Sequence, residues 1–201
     1  MTRIFSVTPI HVDAAELCRR RRRYAELCPD GVSVHLVDVG PAAPPELATA
    51  DDLRASDRAV ADALAAADGY DVAMPDCVLD PAVPDPVRPK ARGMLELVLA
   101  ELAREGHTVA GVARNQVIAG ELRRRAAAYG TGLLDVVVLD LDVADIADTA
   151  RWNAALRTAV DGLADRGATK VINGCSAVDV EPDPRLVDPA ALALHVLGKT
   201  A

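Results

Sequence analysis

The chain has 201 residues, enough for one large α/β domain or two compact halves, and 51% of them are hydrophobic while only 2% are aromatic. A core of Ala, Val and Leu on that scale excludes wholesale disorder. The formal charge of −8, with acidic residues spread along the chain, argues against a nucleic-acid or anionic-membrane surface, because both need a positive field.

Met1 leads straight into a first strand over Ile4 to Thr8, with no basic-then-apolar leader, so a cytoplasmic protein is expected. A helix over roughly 12–27 follows and carries Arg19 to Arg23, five arginines in a row. Such a run wraps round the helix axis and reads as a solvated, cationic C-terminal half. Next come a strand over Val32 to Asp38, a helix over roughly 51–67 and a strand over Asp71 to Met74. The Pro-rich stretch Pro81 to Pro89 breaks regular structure and reads as a crossover. Beyond it lie a helix over roughly 90–105, a strand over Thr108 to Ala113, a helix over roughly 115–129 and a strand over Leu134 to Leu139. A helix over roughly 148–166, a strand over Thr169 to Ile172 and a last helix over roughly 189–197 complete the chain.

Strict alternation of strand and helix predicts parallel strands with helices on both faces. The order also repeats once, which predicts two pseudo-symmetric α/β/α halves with a cleft between them. Residues 1–88 form the first and residues 89–201 the second, and the last helix is free to pack back on the first half. Each third strand runs into a cysteine: Tyr70-Asp71-Val72-Ala73-Met74-Pro75-Asp76-Cys77 in one half and Thr169-Lys170-Val171-Ile172-Asn173-Gly174-Cys175 in the other.

In open parallel sheets ligands bind at the carboxyl ends of the strands, where both cysteines are expected. A thiol there meets backbone N–H groups, and the positive end of a following helix would lower its pKa. Two thiols facing a small molecule from opposite sides suit inversion of a stereocentre, in which one group removes a proton and the other delivers one to the opposite face. The hydroxyls of Thr8 and Ser176 are candidate donors for the oxygen that takes up the resulting charge. The plain alternative is that each cysteine is a small buried hydrophobe. His11, at the end of the first strand, reads either as a substrate contact or as a loop residue. Asp76 must point away from Cys77 or pair with a base, since an anion beside a thiol opposes its ionisation. Asp80 reads either as a substrate contact or as a loop cap. Arg114 and Asn115 open a helix after the fourth strand, a place suited to anion recognition, and Arg114 is the candidate partner for a substrate carboxylate. Cys18 and Cys28 read as packing residues.

No dinucleotide, nucleoside triphosphate or nucleophile-elbow motif is present, and no Cys, His or Asp spacing suits a metal, so no cofactor and no metal are expected. No apolar stretch is long enough to span a bilayer. The expected partner is a small-molecule substrate, and assembly as a homo-oligomer is a further expectation.

The segment Asp68-Gly69-Tyr70-Asp71-Val72-Ala73-Met74-Pro75-Asp76-Cys77-Val78-Leu79-Asp80-Pro81 resembles the "DGYDA, hydrophobic, C–x–x–D–P" stretch of the Asp/Glu/hydantoin racemase superfamily, in its hydantoin and allantoin racemase branch. Gly167-Ala168-Thr169-Lys170-Val171-Ile172-Asn173-Gly174-Cys175 is similar to the second motif of that branch, and Gly40-Pro41 falls where it has a "GP" segment. The resemblance spans nearly the whole chain. It implies a cofactor-independent racemase or epimerase in which Cys77 takes a proton and Cys175 returns one, with Gly40, Pro41 and Asp80 near the substrate. The substrate would be a hydantoin-like ring or an amino-acid derivative. Thr8-Pro9-Ile10-His11 differs from the branch's "NPN(T/S)" loop, Glu46 takes the place of its acidic residue only with a shift, and Val78-Leu79 replaces an aromatic–Gly pair. Two other readings stand beside it. One is a decarboxylase or cis-trans isomerase of the same fold using one cysteine as nucleophile or proton donor. The other is a non-catalytic small-molecule-binding relative.

Overall fold

The computed structural model describes residues 1–65, 67–83 and 90–199. The part of the expected crossover from residue 84 to residue 89 lies outside the described residues.

The first half runs β1 (Thr2–Val7), α1 (Ala14–Leu27), β2 (Val32–Val37), α2 (Ala50–Leu64) and β3 (Val72–Pro75). The second runs α3 (Met94–Arg104), β4 (Val109–Ala113), α4 (Gln116–Ala128), β5 (Val136–Val138), α5 (Thr149–Ala164) and β6 (Lys170–Asn173). It ends with β7 (Leu186–Val187) and α6 (Pro189–Lys199), and a 3₁₀ turn over Val143–Ala147 precedes α5. The strands form two parallel sheets, in the orders β2-β1-β3 and β5-β4-β6-β7. Six strands were expected from the sequence, and β7 is the addition. It is two residues long, too short for alternation to be legible.

Side chains alternate across each strand, and that alternation divides the core. Ile4, Leu36 and Met74 of the first sheet and Val109, Ala113 and Ile172 of the second point into one large shared cluster. Phe5, Val7 and Ala73 face a small outer cluster with Val60 and Leu64 of α2. Ala110, Val112 and Val171 face another around Trp152, Leu156 and Val160 of α5. Each sheet is thus covered on both faces, which explains why β4 is apolar and buried at every position. The shared cluster contains residues of α3, α4 and α6, and α6 packs on α3, α1 and β2. Gly111 lets α4 approach β4, since a Cβ there would lie 2.9 Å from Leu122.

Local chemistry starts the helices. Asp13 caps α1 through the Glu16 N–H, Thr49 and Asp52 form a capping box on α2, and Asn115 caps α4 through the Ile118 N–H. The helix expected from residue 90 begins at Met94, with Gly93 at its N-cap position. Its first N–H groups are bonded by a side chain from elsewhere in the chain, that of Asp80, which accepts from Leu95 and Glu96 at 2.9 and 3.0 Å. No described helix is long and apolar enough to cross a membrane.

Candidate active site

The loops that follow β3 and β6 border one cavity. Its lining comes from both halves: Pro9, Ile10, Arg20, Glu46, Leu47 and the loop from Asp76 to Leu79 on one side, and Arg114, Ile118, Val143, Ile146 and the loop from Gly174 to Ala177 on the other. Cys77 and Cys175 both border it. Counting its open mouth, the cavity holds about 530 Å³ of empty space.

The two cysteine loops are built alike. Each turns back after the sulfur, so that the N–H two residues on points at it: Leu79 N–H lies 3.4 Å from Cys77 Sγ, and Ala177 N–H bonds Cys175. The loops are also joined, because Ser176 Oγ donates to the Asp76 carbonyl at 3.0 Å. Gly174 is needed where β6 gives way to its loop, since a Cβ there would lie 2.1 Å from the Val112 carbonyl oxygen.

Their electrostatics differ. Cys77 is buried, and burial pushes its thiol well above the ordinary range; Asp80, Asp76 and Cys175 push it the same way, with only the Leu79 N–H opposing. Burial also pushes Cys175 up, and Asp76 adds to that, but the Ala177 N–H and the Arg20 and Arg114 guanidiniums work against it. Neither cysteine is followed directly by a helix, since α3 starts at Met94 and α6 at Pro189. The helix-terminus effect expected from the sequence is therefore absent, and both thiols move up.

Asp76 is 1% exposed and paired: Tyr24 Oη donates to Oδ1 at 2.8 Å and Arg20 Nη1 to Oδ2 at 3.0 Å. Arg20 in turn donates from Nε to Glu16 Oε1 at 2.7 Å. This corrects the reading of the arginine run as a solvated face. Arg20 and Arg23 are buried at 4% and 6% exposure, Arg19 is half-buried, and only Arg21 and Arg22 are exposed. Position along a helix fixes direction, but which direction finds a buried carboxylate depends on strands far away in sequence.

Of the other site candidates, Arg114 and Ser176 line the cavity. Arg114 is 6% exposed, and its two contacts are long: 3.3 Å to the Leu141 carbonyl and 3.5 Å to Glu46 Oε2. Asn115 is outside the lining and holds a lining segment, donating to the Leu47 carbonyl at 2.9 Å. Asp80 is fully buried away from the cavity, where it also accepts from Tyr129 Oη at 2.9 Å. Burial raises its carboxyl to about 6 although the N–H groups of Leu95 and Glu96, with Tyr129, favour its charge.

Thr8, His11 and Gly40 gather round one carboxylate that the sequence did not single out, Asp38. It accepts from Thr8 Oγ1 (3.2 Å), Val12 N–H (2.9 Å) and Gly40 N–H (3.0 Å), and pairs with His11 Nδ1 (2.8 Å). Burial opposes its charge, but these donors hold its carboxyl below the usual range. Thr8 and Gly40 are outside the cavity lining, as is the exposed Pro41. His11 borders a second, more open recess that shares Ile10, Arg20, Val143 and Ile146 with the cavity. Asp38 follows directly on β2 and offers no periodic signal; only its place at a strand's carboxyl end could have found it. Among the described residues no group of three His, Cys, Asp or Glu side chains is gathered to hold a metal ion.

No family model and no curated relative matches the chain. Solved structures do. The chain is similar to allantoin racemase from Klebsiella pneumoniae, with 15% identity over 99% of this chain and 87% of that one and a TM-score of 0.81. It is similar to allantoin racemase from Pseudomonas fluorescens at 14% identity, 98% and 90% coverage and a TM-score of 0.79. Maleate cis-trans isomerase from Nocardia farcinica aligns at 14% identity over 100% of this chain and 92% of that one, with a TM-score of 0.65.

Proposed function

From a chain with the two-half α/β fold of the Asp/Glu/hydantoin racemase superfamily, we propose a cofactor-independent racemase or epimerase that moves a proton at a carbon next to a carbonyl, using Cys77 and Cys175. The observation that carries this reading is the cavity itself, bordered by one sulfur from each half on loops that turn back in the same way.

The chemistry follows from the two environments. Cys175, with two guanidiniums near it, is the thiol that ionises first; Cys77, among carboxylates, stays protonated. The Cys175 thiolate takes the proton from one face of the carbon, and the electron pair left behind spreads onto the adjacent carbonyl oxygen. The Cys77 S–H then delivers its proton to the opposite face and is left as thiolate. The antipode reacts in the reverse sense, with the cysteines exchanging roles. This ordering reverses the one suggested by resemblance, in which Cys77 was the first base.

Arg114 supports an amino-acid-derived carboxylate over a neutral hydantoin ring. Its guanidinium is inside the cavity with only long contacts, so it has donors for an anion. Beside it, Glu46 suits a substrate nitrogen, and Ile10, Leu47, Val78, Leu79 and Ile118 offer an apolar wall for a side chain.

The test is incubation of candidate amino acids, their N-acyl derivatives and hydantoins in deuterated water with wild type, Cys77→Ser and Cys175→Ser. Wild type is expected to exchange the proton and lose optical rotation, and each variant to racemise about 10²–10⁴-fold more slowly. Normal racemisation by both variants would remove the two-base mechanism.

A further inference from the structure

The proton-transfer scheme uses only the charge of Arg20 from the run Arg19 to Arg23, yet three of its members reach the two cysteine loops. Positions 19, 20 and 23 fall within an arc of about 100° on a helix, so α1 directs all three at one place. Arg19 Nη2 donates to the Ala177 carbonyl at 2.6 Å, and Arg23 Nε donates to the Ser176 carbonyl at 3.1 Å. Arg23 is itself held by Asp179 and, at 2.6 Å, by Asp188. The backbone carrying the N–H group that bonds Cys175 is thus fastened to α1 of the other half.

Arg20 is placed differently from its neighbours. It borders the cavity, and its fork joins Glu16 on α1 to Asp76, the residue before Cys77. The Asp76 carbonyl accepts from Ser176, the residue after Cys175. One guanidinium therefore anchors the contact that joins the two cysteine loops, and it neutralises a carboxylate whose charge acts on both sulfurs. We propose that Arg20 is a positioning residue for both cysteines, holding and neutralising Asp76 at the point where the two cysteine loops are joined.

The charge balance around Cys175 shows why one residue decides the matter. From α1 it meets Arg20, itself paired with Glu16, while Arg23 and its partners Asp179 and Asp188 hold the loop; from the β3 loop it meets Cys77 and Asp76, the latter bonded by Tyr24. From the other elements it meets Arg114 after β4 and Glu46 before α2. Arg114 pairs with Glu46 and Arg19 pairs with Glu16, so the charge that loses its guanidinium with Arg20 is that of Asp76.

The inference rests on the two-cysteine reading, but its test needs no substrate, so either can fail without the other. Site-resolved alkylation by iodoacetamide, read by peptide mass spectrometry between pH 6 and pH 10, follows each thiol separately, and the exposed Cys18 controls for the reagent. Arg20→Gln is expected to slow Cys175 alkylation about tenfold at a fixed pH and move its curve to higher pH, leaving Cys18 unchanged. Arg20→Lys, which keeps the charge, is expected to restore most of that loss. Asp76→Asn is expected to speed alkylation of both Cys77 and Cys175. A folded Arg20→Gln protein whose Cys175 curve coincides with wild type would overturn the proposal. Should Arg20→Gln not fold, unmoved Cys77 and Cys175 curves in Asp76→Asn would overturn it equally.

Discussion

The loop after β3 and the loop after β6 occupy matching places in the two halves, and each turns an N–H back onto its sulfur two residues earlier. Their surroundings are nonetheless unequal. Cys77 is sealed among apolar side chains with Asp76 and Asp80 at hand, whereas Cys175 is half-buried and has Arg20 and Arg114 within electrostatic reach. Repetition of a fold supplies two equivalent positions for a thiol, and on the proposed mechanism the side chains packed around them would make one the readier acid and the other the readier base. A pair of identical groups can run proton transfer in both directions only if their resting ionisation states differ.

The largest expected effect on this comparison concerns pH. Because burial lifts both thiols, the fraction of molecules carrying the Cys175 thiolate is small at neutrality and grows with alkali. The proton-exchange rate at low substrate is expected to rise by about tenfold per pH unit above neutrality until that thiol has ionised, and to fall only when Cys77 also loses its proton. A profile flat from pH 6 to pH 9 would contradict this ordering.

Stability separates the two loops next. The carboxyl of Asp80, which bonds α3 from the Cys77 side, is raised to about 6, corresponding to about 3 kcal/mol by which the fold favours its protonated form. A folded-state value above the unfolded one means that this contribution is full below pH 4 and is lost as pH climbs through about 6. Asp80→Asn should lack that loss. The stability difference between wild type and variant, from urea unfolding at pH 4, 5, 6 and 7, is therefore expected to shift steadily in the variant's favour. On the Cys175 side, Gly174→Ala would press a Cβ onto the Val112 carbonyl, a backbone atom that cannot rotate away, and should cost about 1–3 kcal/mol in the same measurement. The smallest effect is expected for Asn115→Ala. It removes the cap of α4 and the bond to Leu47, and should cost about 1 kcal/mol by thermal unfolding, with a weaker hold on the cavity wall that carries Leu47 and Glu46.

Much of this was legible from the residues. The six longer strands, the helices between them, their parallel sense and the matching cysteines all follow from periodicity and order. Cys77 and Cys175 border one cavity with Arg114 and Ser176. Other candidates sorted differently: Asp80 bonds a helix terminus, Asn115 pins a loop, and Thr8 and Gly40 serve Asp38. A carboxylate, amide or hydroxyl at a strand's end satisfies a ligand and a backbone N–H by the same chemistry, so residue type does not separate the two uses.

Local pattern by itself determined the alternation of elements and placed a cysteine at the end of each third strand, because side-chain period and turn chemistry act over a few residues. Only the tertiary structure decided which arginines are buried, which carboxylates they meet and which charges surround each thiol. Those outcomes depend on charges brought together from α1, the β3 loop and the β6 loop, up to 156 residues apart in the chain, and electrostatic energy is set by distance in space and by burial, to which sequence separation is no guide.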